Sequence, residues 1–176
     1  MKKLNLGCGT DIRIDCINLD SIALPGVDIV HDLERLPLPF KSEYFNRIYC
    51  FNVLEHLDYI PVIREIHRIL KKDGTVNIRI PHFTSRFSHV DPTHKKMFSF
   101  ETFYFFTKCS RFGREYYFDF IFERVLFSRI TFNNKIPYNW YLESIINLND
   151  KAKTIYEATF LSRLFPAVDI EIILQK

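Results

Sequence analysis

Four short apolar runs open the chain: Leu4 to Leu6, Ile17 to Leu19, Val27 to Val30 and Arg47 to Phe51, with turn residues between them. Runs this short, rich in branched and aromatic residues, read as buried parallel strands. From Ile60 the period changes. Ile60, Ile63, Ile66, Ile69 and Leu70 recur at helical spacing and predict an amphipathic helix over 60–72, with Lys71-Lys72 as its basic last turn and Asp73-Gly74 as its stop. Thr75 to Ile80 follows as a strand that Pro81 ends. Strand, helix, strand is a βαβ unit, and repeated units imply a parallel sheet flanked by helices. Further strands are expected around Arg124 to Phe132 and from Ala167 to Leu174, with a helix around Lys151 to Leu164 between them.

In such a sheet, ligands bind beyond the carboxyl ends of the strands. The polar residues there are Gly7-Cys8-Gly9, then Asp20, then Asp32, then Asn52 with Glu55-His56. Glycines let the backbone approach a ligand, and a carboxylate at the second strand end can accept from both hydroxyls of a ribose. Asp32 can accept from an adenine amino group while the Leu33 backbone donates to the ring, and Asn52 with the backbone near Phe51 can meet an amino-acid tail. Taken singly, each has a plainer use as a turn or a helix cap; four in order at four strand ends point to a nucleoside carrying a charged tail. A nicotinamide site needs G-x-G-x-x-G and an acid about twenty residues on. Here Asp20 comes eleven residues after Gly9, and ten residues between them leave little room for a crossover helix.

At 176 residues the chain is expected to form one domain. A net charge of +3 with 26% charged residues gives no basic excess for nucleic acid. Cys8, Cys16, Cys50 and Cys109 show no metal-type spacing and suit a reducing, cytoplasmic setting. Cys8 is expected to pack under its turn. No stretch approaches the roughly eighteen apolar residues of a membrane span, and the start of the chain lacks a signal-peptide core. The 18 Phe and 9 Tyr, densest between Phe98 and Phe132, suit a thick core or a homodimer contact more than a ligand box.

In combination these features resemble the class I S-adenosylmethionine-dependent methyltransferases, in particular the small type 11 group. The resemblance rests on Leu4-Asn5-Leu6-Gly7-Cys8-Gly9-Thr10, Ile17-Asn18-Leu19-Asp20, Asp32 to Phe40, Asn52-Val53-Leu54-Glu55-His56-Leu57 and Ile69 to Gly74. It implies a Rossmann-like, mostly parallel sheet with an antiparallel last strand, helices on both faces and a shortened first crossover. Residues 1–96 would form the cofactor-binding half, and 97–176 an aromatic-rich cover for the acceptor plus the last strands. S-adenosyl-L-methionine would then meet Leu6, Gly7, Cys8, Gly9, Asp20, Ser21, Asp32, Leu33, Phe51, Asn52 and His56. Two departures stand out. Asp11 occupies the place of the family's third glycine, and Asn46 follows Phe45 where the family often has Asp. A loop over 10–16 is expected to lie over the methionine end in place of a helix.

Methyl transfer needs nucleophile, methyl and sulfur held in line, and a hydroxyl or amine acceptor also needs a base. Past the fifth strand stand Pro81-His82-Phe83 and His89-Val90-Asp91-Pro92-Thr93-His94. His82 or His89 is the expected base, Asp91 its orienter, and His94 closes the site. Similar H-x-D-P-x-H segments occur in the small methyltransferases this chain resembles. The same residues could instead cap a loop. Two histidines and a carboxylate can also bind iron or zinc, but one short loop without a further evident ligand leads us to expect no metal. The acceptor is expected to be a small molecule, by resemblance a sugar hydroxyl in surface polysaccharide synthesis. The alternative is a non-catalytic, cofactor-binding partner subunit.

Overall fold

A computed structural model of the chain describes residues 1–108 and 110–176; Cys109 lies outside the described residues. The elements run β1 (Lys3–Leu6), β2 (Ile17–Asp20), β3 (Ile29–Val30), β4 (Phe45–Phe51), α1 (Tyr59–Ile69), β5 (Leu70–Pro81), α2 (Phe87–Val90), β6 (Arg124–Ile130), α3 (Asn139–Ile146), α4 (Asp150–Ala158), α5 (Leu161–Leu164) and β7 (Asp169–Gln175). They form one seven-stranded sheet in the order β3-β2-β1-β4-β5-β7-β6. The first five strands are parallel, and β7 runs against both of its neighbours. This is the mostly parallel sheet with an antiparallel last strand read from the sequence.

Alternation along the strands divides the sheet into two unlike faces. Leu4, Leu6, Leu19, Ile48, Cys50, Val76, Ile78, Ile80, Ile170, Ile172 and Leu174 make one face and are buried. Helix α1 supplies Val62, Ile63, Ile66 and Ile69 to the same core. Phe98, Phe100, Phe103, Phe106, Phe120 and Phe122 are buried there too, so much of the aromatic density is core. The opposite face carries Tyr49, Phe51, Asn77, Arg79, Glu171 and Ile173, all half-buried. The 10–16 loop folds onto this face. Asn5 donates to the Asp11 carbonyl, Asn18 donates to the Arg13 carbonyl, and the Arg13 guanidinium lies 4.3 Å from the centre of the Tyr49 ring. The loop therefore substitutes for a crossover helix by covering the sheet, and its Thr10, Asp11 and Arg13 line a cavity together with Gly7, Gly9 and Asn52 at the strand ends.

Several boundaries differ from the sequence reading. Helix α1 ends at Ile69, because Leu70 is drawn into pairing with Phe45 and starts β5. Lys71 to Gly74 thus belong to the strand, and it is Asp73 (φ 62°) that takes the left-handed turn. Strand β3 shrinks to Ile29–Val30, and the helix expected over 151–164 breaks into α4 and α5 where Thr159 is extended. Helices α2 and α3 were not foreseen.

Candidate active site

The end of β1 is pressed against the turn after β4. Gly7 (φ 66°) and Gly9 (φ 49°) are both left-handed, and a Cβ on Gly7 would sit 2.4 Å from Val53 Cγ2. Only glycine lets these two segments meet. Gly9 faces open space. Its N–H donates to Asp20 Oδ2 at 2.7 Å, and the Ile22 N–H donates to Oδ1 at 3.1 Å, so the carboxylate at the end of β2 is held by backbone on both oxygens. Past β3, Asp32 Oδ1 accepts the Glu34 N–H at 3.0 Å. Past β4, Asn52 (φ 54°) turns the chain while its N–H donates to the Arg79 carbonyl.

Gly7, Gly9, Asp20, Ser21, Asp32, Leu33, Asn52 and His56 line one groove of about 330 Å³. Three of the residues assigned to the cofactor are not brought there. The Leu6 side chain is fully buried in the core. Cys8 is buried under the turn, facing the Arg13 side. The Phe51 ring lies on the opposite sheet face beneath Arg13 and Arg79, each 4.7 Å from its centre. Strand alternation explains both Leu6 and Phe51, whose backbone reaches the strand end while their side chains point elsewhere.

A second, larger cavity of about 620 Å³ adjoins the groove and shares Asn52 and His56 with it. Phe87, Val90, Asp91, Pro92 and His94 form one side, Pro81, Val168 and Asp169 another, and Glu55 the floor. Among the described residues no lining residue falls between Met97 and Ala167, and the segment around α2 bounds this space. Among the predicted catalytic residues, Asp91 and His94 are brought to the cavity. His82 is not: it is fully buried, its Nδ1 is bonded to Thr84 Oγ1 and its Nε2 to Glu157 Oε1. His89 is exposed on α2 and does not line the cavity.

Two carboxylates missing from the sequence-based assignment complete the wall. Glu55 sits in a single 3-10 turn, Leu54–His56, is 1% exposed, and has no hydrogen-bond partner among the described residues on either carboxylate oxygen. Burial, reinforced by the charges of Asp169 and Asp91, pushes its pKa up to about 7. The pKa of Asp169 is raised by burial against the opposing pull of Arg79. Asp91 moves the other way, because the Thr93 hydroxyl and N–H both donate to its carboxylate. Burial and the neighbouring His94 lower the pKa of His56. The signal for Glu55 was present in the sequence as Glu55-His56 after the fourth strand; nothing local marked Asp169.

Residues 4–78 match the family described as a methyltransferase domain. A 39-residue stretch is 51% identical to an uncharacterised protein of Methanocaldococcus jannaschii, spanning 22% of the chain and 17% of that protein, well short of two thirds of its length. Among solved structures, the chain is similar to a SAM-dependent methyltransferase from Archaeoglobus fulgidus, with TM-score 0.63 and 22% identity over 99% of the chain and 86% of that protein. It is also similar to an S-adenosylmethionine-dependent methyltransferase from Mesorhizobium loti, with TM-score 0.52 and 13% identity over 99% and 90%. The cyclase SpnF shares the fold as well, with TM-score 0.56 and 14% identity over 99% and 74%. At these identities the likeness is one of fold.

Proposed function

We propose that the chain, whose residues 4–78 match a methyltransferase domain and whose fold is that of S-adenosylmethionine-dependent methyltransferases, methylates a hydroxyl of a small, sugar-like molecule held in the cavity beside α2. The observation that carries this reading is the common wall. The groove that suits the cofactor and the cavity that suits an acceptor meet at Asn52 and His56.

The groove fits S-adenosylmethionine. The open cradle at Gly9 leaves room for the methionine part, Asp20 keeps lone pairs free for ribose hydroxyls, and Asp32 with the Leu33 backbone stands where the adenine would be read. Bound there, the cofactor supplies a methyl group activated by its positive sulfur. The chain's own residues align and shield. Phe87 and Pro92 offer apolar surface to a sugar ring, and the carboxylates of Asp91 and Asp169 can accept hydroxyl hydrogens. Asp169, whose burial makes its carboxylate a better base than an exposed one, receives the acceptor proton in this reading.

A cytoplasmic setting belongs to the same proposal, supported by Cys8, Cys16 and Cys50 standing as free thiols. Among the described residues no helix is long and apolar enough to cross a membrane. The test is calorimetric titration with S-adenosylmethionine, S-adenosylhomocysteine and NAD, followed by mass-spectrometric detection of methyl transfer to a panel of glycosides. Binding of the first two and not the third is expected. Failure of both to bind would overturn the cofactor assignment, and binding without methylation of any acceptor would favour the partner-subunit alternative.

A further inference from the structure

We propose that Glu55, His56 and His94 hold a divalent transition-metal ion, of the zinc or iron(II) class, where the groove and the cavity meet. One donor atom from each of the three lies within 4.8 Å of the others. Metal–ligand bonds of ~2.0–2.2 Å place the ligands of a tetrahedral ion roughly 3.3–3.5 Å apart, so a small side-chain adjustment closes the set. Two imidazoles and one carboxylate beside an open cavity are the ligand types that bind such ions while leaving a position for an exogenous oxygen.

The free valences of the three side chains point the same way. Among the described residues both oxygens of Glu55, which is 1% exposed, lack any hydrogen-bond partner, and so does buried His94 Nδ1. Buried polar atoms are nearly always satisfied, and here three orphans lie at one junction. His56 is oriented for ligation. Thr93 donates its hydroxyl hydrogen to Asp91 Oδ1 at 2.6 Å, so its Oγ1 can only accept from His56 Nδ1–H at 2.7 Å. That fixes the proton on Nδ1 and leaves the Nε2 lone pair free, the arrangement by which outer carboxylates and hydroxyls set metal-binding histidines. On His94 the opposite nitrogen, Nε2, faces Asp91 Oδ2 at 3.9 Å. The two rings meet edge to face with centroids 4.6 Å apart. Thr93, itself held by Asp91, thus acts as a positioning residue for the His56 imidazole.

The role of the ion, though not its binding, rests on the methyl-transfer reading. An acceptor hydroxyl bound at the open position would give up its proton more easily, to Asp169. Its oxygen lone pair then forms the O–C bond to the methyl carbon as the C–S bond breaks, and the sulfonium leaves as a neutral thioether.

The test is metal binding alone, which needs neither cofactor nor acceptor. Chelator-treated full-length protein is titrated with Zn²⁺ by calorimetry and with Co²⁺ by visible absorption. We expect one equivalent bound, ligand-field bands with Co²⁺, and a fall in affinity of at least about 10- to 100-fold in Glu55→Gln and in His94→Gln. Circular dichroism establishes that each variant is folded. His89→Ala, which removes an exposed imidazole nearby, should leave binding unchanged. The proposal is overturned if the wild-type protein binds no ion stoichiometrically, if folded Glu55→Gln binds as well as wild type, or if His89→Ala weakens binding as much as His94→Gln.

Discussion

Replacing Gly7 by alanine tests the contact on which the groove is built. The backbone there is left-handed (φ 66°), a conformation that costs a residue with a Cβ about 1–2 kcal/mol. The new Cβ would also lie 2.4 Å from Val53 Cγ2 and 2.9 Å from Cγ1. Valine cannot rotate away, since with two branches at Cβ any rotamer swings one of them back toward the same neighbour. Val53 is 8% exposed, so the overlap must be relieved by shifting packed backbone, at about 1–3 kcal/mol. Gly7→Ala is therefore expected to destabilise by about 2–5 kcal/mol, read by urea unfolding as a midpoint shift of about 1–2 M at unchanged slope. Val53→Ala alone should cost about 1–3 kcal/mol through lost burial. The double variant should be more stable than the sum of the two, by roughly the steric share of 1–3 kcal/mol. Additivity within about 0.5 kcal/mol would show that the two segments are not in contact and would refute the packing argument.

Three further outcomes follow from other parts of the molecule. Asp20→Ala should weaken S-adenosylhomocysteine binding by about 10- to 100-fold, the worth of one or two charge-assisted hydrogen bonds, and unaltered affinity in calorimetry would remove Asp20 from the ribose. His82→Ala should cost about 2–4 kcal/mol of stability, since a buried ring and its bonds to Glu157 and Thr84 are lost, while cofactor affinity stays the same; loss of affinity without loss of stability would reverse that assignment. Burial alone would raise the pKa of Glu65, but the Arg68 guanidinium and the Leu38 N–H outweigh it and the folded value is lowered. Its stabilisation is therefore present above the unfolded value of about 4.3 and is lost as pH falls through the folded one. The advantage of wild type over Glu65→Gln in denaturation midpoint should shrink across that acidic window, and a pH-independent difference would contradict it.

What the sequence made legible was local. Glycine and aspartate at strand ends mark the groove because those residue types are demanded by backbone conformation and by ligand chemistry at one place, and the short β1–β2 crossover is visible as a count of residues. The end of α1 was misplaced by three residues because a long-range pairing, Leu70 with Phe45, overrides the basic turn and glycine that normally stop a helix. The acceptor cavity was harder. Its walls come from Asn52 to His56, Phe87 to His94 and Val168–Asp169, which only the sheet order brings together. His82 looked like a rim residue because it follows a strand end. Its partner Glu157 stands 75 positions away on α4, and no local pattern announces it.

Asn52 and His56 face two compartments at once, and that has a thermodynamic consequence. Any ligand that displaces this turn to seat itself reshapes the neighbouring chamber, and linkage makes the effect reciprocal. If S-adenosylhomocysteine changes acceptor affinity by some factor, the acceptor must change S-adenosylhomocysteine affinity by the same factor. An acceptor screen run both with and without S-adenosylhomocysteine therefore reads any such coupling directly.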